Sequence, residues 1–178
     1  MSLTMTLQQI RDARPCDMGW LKLLRNLGNP PMDYSTSLGE VYSSNGFDDA
    51  LWVCRCLNGN AHGWEFWQLG IDMLRCYPLE DSVKVLVSDL AALVQHKRAD
   101  PDALAALLRL SRFLEAQGRP GAKAFRALMN WPNRPTIQGR LWDMVYVLDK
   151  ENCKQIGKFQ TPATVITLFE QFLEKHRA

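Results

Sequence analysis

The sequence predicts an all-α fold, a compact bundle of about eight to nine helices. Three observations lead there. Apolar residues recur at i, i+3, i+4 along most of the chain. Proline and glycine interrupt these runs at helix-like lengths. Strand-like alternation is confined to two short stretches, and neither has an obvious pairing partner.

The elements follow in order. A first helix is expected over about 5–13, stopped at Pro15. A second, over about 16–27, carries Trp20, Leu23, Leu24 and Leu27 at helical spacing and ends at Gly28, with Pro30 and Pro31 beyond. A short helix over 37–43 has Ser37 as its N-cap and Glu40 three residues on, the pattern of a capping box. A helix from Gly46 to about 58 has Asn45 as its expected cap and Asp48 and Asp49 in its first turn, where negative charge suits the helix dipole. Phe47, Ala50, Leu51, Cys54 and Leu57 share one face, and Trp52, Val53 and Cys56 make most of the other side apolar. A helix apolar nearly all round belongs at the centre of a fold.

Helices over about 64–77 and 81–96 come next. Val83, Leu86, Val87, Leu90 and Val94 form the stripe of the second, although Val83, Val85 and Val87 also alternate as a strand would. Asp100 and Pro101 open a helix to about 117, closed by Gly118. A short helix over about 120–130 precedes the loop "NWPNRPT". Residues 136–148 carry Leu141, Met144, Val145 and Leu148 at helical spacing, with a strand over "LWDMVYVL" as the alternative. Thr161-Pro162 caps the last helix, lined by Val165, Phe169 and Phe172. No internal repeat stands out. A single domain over 1–178 is expected, because the seven residues "HKRADPD" at 96–102 have the length of an ordinary helix connection; the alternative, prompted by the change of charge and the proline there, is a subdivision into 1–96 and 97–178.

Hydrophobic residues make up 47% of the chain and charged residues 22%, the balance of a globular protein rather than a disordered one. No stretch is long and apolar enough to span a membrane, and the N-terminus lacks a signal-peptide core, so a cytoplasmic protein without a membrane partner is expected. The five cysteines include no C-x-x-C pair and are expected to be reduced. Cys54 and Cys56 would point about 200° apart on a helix and cannot share a metal ion. His62, His96 and His176 sit in no metal or nucleophile pattern. Asp48 and Asp49 are adjacent on a helix, so their carboxylates diverge. With no phosphate-loop, nucleophile-elbow or zinc signature present, the sequence points to no enzyme, no catalytic residue, no metal and no cofactor.

Charge is unevenly distributed. Residues 1–95 hold 7 Lys/Arg against 11 Asp/Glu, whereas residues 96–140 hold 9 against 3. Lys97, Arg98, Arg109, Arg112, Arg119, Lys123, Arg126 and Arg134 are therefore candidate partner-binding residues, with Trp131 placed to stack on a base. An acidic protein, including the acidic half of a second copy in a homodimer, is the favoured partner, and nucleic acid the alternative. The segment "GWEFW" reads first as core; the alternative, that it exposes Trp64 or Phe66 once Trp67 turns inward, adds both to the candidates.

Two blocks, "CDMGWLKLL" at 16–24 and "SLGEVYSSNGFDDALWVCRCL" at 37–57, resemble small helical proteins of phages, prophages and bacterial toxin-system neighbourhoods: immunity proteins of the Imm-5-like type. Cys16, Gly19 and Trp20 carry the resemblance in the first block. Ser44-Asn45-Gly46, Asp49-Ala50-Leu51-Trp52, Arg55 and Leu57 carry it in the second. The resemblance covers roughly residues 16–75. It implies a helical fold and inhibition through binding, with a toxin or host factor as partner, and it brings no catalytic residues. The expected function is thus a non-enzymatic binding protein of inhibitor type.

Overall fold

The computed structural model describes residues 3–57, 63–77, 81–95, 105, 109, 112, 116, 141–142, 145–146, 148–150 and 161–176. The protein is all-α, with eight helices, one of them a 3-10 turn, and one short two-stranded sheet among the described residues. Its elements are β1 (Thr4–Thr6), α1 (Leu7–Asp12), α2 (Asp17–Asn26), β2 (Ser35–Ser37), α3 (Leu38–Asn45), α4 (Phe47–Val53), a 3-10 turn (Cys54–Cys56), α5 (Gly63–Arg75), α6 (Asp81–Gln95) and α7 (Ala163–Lys175). The described residues of 141–150 are all helical, as are Ala105, Arg109, Arg112 and Ala116.

The sheet corrects the first expectation: residues 4–6 are a strand rather than the start of a helix. β1 pairs antiparallel with β2, Met5 opposite Thr36, Thr4 opposite Ser37 and Thr6 opposite Ser35. Only a partner distant in sequence can make a three-residue strand, so local periodicity does not reveal it. Each strand runs straight into a capped helix. Thr6 and Gln9 close a capping box at the start of α1, and Ser37 and Glu40 close another at the start of α3.

The two units match residue for residue about the Met5/Thr36 pair. Leu7 N–H donates to Tyr34 O at 3.1 Å, and Leu38 N–H donates to Leu3 O at 2.8 Å. Leu7 and Leu38 are fully buried, and Ile10 and Val41 nearly so. "TLQQI" and "SLGEV" thus form a short strand–cap–helix repeat with local two-fold character, too brief to register as a repeat in sequence.

The expected central helix over 46–58 is shorter than predicted. α4 ends at Val53, and the chain tightens into the 3-10 turn before Leu57 becomes extended. Side chains compete for the carbonyls there: Arg55 Nε donates to Trp52 O at 2.8 Å, and Cys54 Sγ donates to Ala50 O at 3.3 Å. Ala50, Leu51, Val53, Cys54 and Leu57 are buried as the pattern predicts. Burial pushes the Cys54 thiol well above its ordinary pKa, which leaves it a space-filling group. Asn45 is the last residue of α3 and does not cap α4. The N-cap is Gly46 at φ +95°, a conformation that L side chains rarely adopt, and no side chain bonds the helix start.

α5 packs on α6 and α7, and α3 packs on both α2 and α4. Phe66 of α5 stacks on Trp142 with ring centres 4.5 Å apart, and Phe172 of α7 lies 5.9 Å from the Phe66 ring. Phe169 meets Phe47 edge-on at 5.4 Å. The strand alternatives at 83–87 and 141–148 are both helical wherever described. Val85 is 60% exposed while Val87 is buried, and Leu141, Trp142, Val145 and Leu148 face the core. Pro162 is the N-cap of α7, without a side-chain bond. Thr161, expected to cap, instead donates through Oγ1 to Asp149 at 3.2 Å. The helix expected over about 120–130 lies outside the described residues.

Candidate functional site

The junction of α2, α3, α4 and segment 141–150 concentrates the polar and aromatic groups of the N-terminal region. It begins at Cys16, the N-cap of α2, whose Sγ accepts the Gly19 N–H at 3.4 Å. Gly19 lets α4 approach: a Cβ there would stand 2.9 Å from Asp49 Oδ2 and 3.2 Å from Cys16 Sγ. Asn45 Nδ2 donates to Gly19 O at 2.8 Å and to Asp49 Oδ2 at 2.7 Å. Ser44 Oγ donates to Asn45 Oδ1 at 2.5 Å, and Asn26 Nδ2 donates to Ser44 Oγ at 2.9 Å. One amide therefore binds α2 to both α3 and α4.

Aromatic groups close the other side. The Arg55 guanidinium lies 4.9 Å from the Trp52 ring and 5.0 Å from the Tyr146 ring. Lys150 Nζ bonds Asp48 at 2.7 Å and stands 5.4 Å from Tyr146. Burial works against the Lys150 charge, but the Asp48 carboxylate more than offsets it, so its pKa is raised. Burial raises Tyr146 against the opposing influence of Lys150 and Arg55. Between these walls lies a cavity of about 90 Å³, bounded by Trp20, Trp52, Tyr146, Asn45, Asp49 and the exposed Cys16, among others.

Beside this cavity α2 turns an apolar stripe outward. Met18 is 81% exposed and Leu21 56%, while Trp20 and Leu23 on the opposite face are buried. Arg11, Arg14, Lys22 and Arg25, in α2 and the residues just before it, are exposed, as are Asp12 and Asp17.

The candidates drawn from sequence fare differently. Phe66 is fully buried against Trp142 and Phe172, so it is a core residue and not a docking one. The helix rotates by about 100° per residue, and Phe66 and Trp67 both fall within the wide arc that α5 buries. Trp67 does turn inward, at 7% exposure. Arg109 and Arg112 are exposed on helical backbone, as expected of a solvated basic face. Lys97, Arg98, Arg119, Lys123, Arg126, Trp131 and Arg134, and the side chain of Trp64, lie outside the described residues. His176 is the C-cap of α7; His62 and His96 lie outside the described residues. Asp48 and Asp49 diverge, one to Lys150 and the other to Asn45. No group of three or more His, Cys, Asp or Glu among the described residues could hold a metal ion, and no described helix is long and apolar enough to cross a membrane.

Sequence reasoning missed the cavity and the α2 stripe. The signals were present: Met18 and Leu21 fall on the side of the helix away from Trp20 and Leu23, and Asn45 and Asp49 stand four residues apart. The arrival of Tyr146 from a hundred residues away had no local signal.

No family model, curated protein or solved structure matches the chain. Cys16, Gly19, Trp20, Asn45, Asp49 and Trp52 all line this one cavity.

Proposed function

We propose that the protein is a non-enzymatic binding protein of inhibitor type, which docks an acidic partner protein through the outer face of α2. The single observation that carries this reading is the exposure of Met18 and Leu21 at 81% and 56% on a helix whose other face is buried. Apolar side chains at i and i+3 give a partner area to desolvate. The exposed Arg11, Arg14, Lys22 and Arg25, in α2 and the residues just before it, outnumber the exposed Asp12 and Asp17 and favour an acidic surface. The resemblance to phage and prophage immunity proteins supports inhibition by binding and suggests a toxin or host factor as the target. Another copy of this chain, acidic over residues 1–95, is a further partner that sedimentation can detect.

The test is capture from lysate with the wild type and with a Met18→Glu/Leu21→Glu double variant. Both positions are exposed, so stability should change by no more than about 0.5 kcal/mol at each. The wild type should retain a partner that the variant releases. Capture of nothing by the wild type, or of the same protein by both, refutes the reading. A second reading, nucleic-acid association, draws on the exposure of Arg109 and Arg112 on helical backbone. It requires a gel shift that weakens as salt rises and is lost with Arg109→Glu/Arg112→Glu.

A further inference from the structure

We propose that the cavity between α2, α4 and segment 141–150 is a binding site for a small organic ammonium ion. The positive head faces the Asp49 carboxylate, and the alkyl body lies against Trp20, Trp52 and Tyr146. This goes beyond the docking reading and does not depend on it, because the stripe of Met18 and Leu21 is no part of the cavity wall.

Size comes first. A water molecule needs about 10–15 Å³ of such space. The cavity's roughly 90 Å³ therefore admits a body the size of tetramethylammonium or butylammonium. Charge selects next. Among the described lining residues Asp49 carries the only carboxylate, and none is Lys, Arg or His. An anion would meet that carboxylate with no cationic side chain on the described wall to balance it. A neutral guest would leave that carboxylate partly desolvated, which costs free energy. A cation removes the conflict.

The carboxylate is also held in place. Asn45 Nδ2 fixes Oδ2 at 2.7 Å, and among the described residues nothing donates to Oδ1. Gly19 leaves room for it, since a Cβ there would collide with Oδ2 at 2.9 Å.

The aromatic walls fit the same guest. Ring faces attract cations, and an ammonium carrying alkyl groups also gains from apolar contact. Trp52 and Tyr146 already do this for Arg55, at 4.9 and 5.0 Å. Arg55 is not among the residues that line the cavity. The exposed Cys16 at the rim gives a path from solvent.

The experiment is an NMR titration of the full chain, following the indole N–H resonances of Trp20 and Trp52. The probes are tetramethylammonium, butylammonium, butan-1-ol and butyrate. Both cations should shift these resonances saturably, about tenfold more tightly than butan-1-ol, and butyrate should have no effect. Asp49→Asn should weaken both cations by about tenfold while leaving butan-1-ol unchanged. Gly19→Ala, which forces the carboxylate aside, should weaken them similarly. The wild-type comparison of butylammonium with butan-1-ol needs no variant, so it decides even if both substitutions disturb folding. Equal response to the two, or no saturable response to either cation, overturns the proposal. Unchanged cation affinity in a folded Asp49→Asn protein overturns it as well.

Discussion

Asp149 is fully buried, which is unusual for a carboxylate and sets a cost on the folded state. Tyr77 OH donates to its Oδ1 at 2.9 Å and Thr161 Oγ1 donates to its Oδ2 at 3.2 Å. Burial raises its pKa above the ordinary 3.8, and the two hydrogen bonds with Lys150 nearby only partly oppose that. The sign of the linkage follows. Below pH 3.8 the group is protonated whether folded or unfolded, and its contribution is fully present. As pH rises through the elevated folded value, the folded state must ionise a buried group and stability falls. Asp149→Asn keeps an acceptor for Tyr77 and removes the charge. In thermal melts taken between pH 3.5 and 7, the wild type should lose stability relative to the variant as pH rises. A wild type that gains on the variant over that range would contradict the assignment. In sequence Asp149 is one acid beside a lysine at a helix end, and nothing local marks it as buried. Burial at a single position is legible only when periodicity dictates it, as it does for Leu51 and Cys54. Phe66 shows the other limit: an aromatic cluster reads equally well as core or as surface until neighbouring elements arrive.

At the scale of elements, the helix boundaries that carry their own chemistry were legible and those set by distant partners were not. Ser37 and Glu40 announce the start of α3 in four residues. The equivalent pair Thr6 and Gln9 was present but hidden behind a strand that exists only because β2 lies beside it. α4 was legible as a buried helix, but its early conversion to a 3-10 turn depends on where the Arg55 and Cys54 side chains find acceptors. The capping boxes carry a quantitative expectation. Ser37 Oγ accepts the Glu40 N–H at 3.1 Å, and Glu40 Oε2 accepts the Ser37 N–H at 2.6 Å. Ser37→Ala removes one of these bonds and leaves the β2 backbone intact. It should cost about 1 kcal/mol in denaturant melts, and Thr6→Ala about the same. An effect near zero for both would mean that strand pairing alone positions the helix starts.

Across the whole molecule, the described C-terminal helix is tied to the N-terminal half by apolar packing more than by charge. Phe169 of α7 is fully buried and touches the rings of Phe47 and Tyr42, at 5.4 and 5.9 Å. Tyr42 OH also donates to Glu170, and that hydrogen bond pushes the phenol up to about 12. Lys175 pairs with Glu65 at 3.1 Å, but both side chains are largely exposed and such pairs contribute little. A buried Phe truncated to Ala typically costs about 3–5 kcal/mol, several times the worth of the surface pair. Phe169→Ala therefore tests whether residues 1–178 unfold as one domain or divide near residues 95–102. If they unfold together, the substitution lowers the melting of the whole chain by that amount. Indole resonances of Trp20, in α2, and Trp142, in segment 141–150, then disappear together within each protein, at a lower denaturant concentration in the variant than in the wild type. If the subdivision holds, Trp142 is lost first and Trp20 persists, because α2 packs on α3 within the N-terminal half.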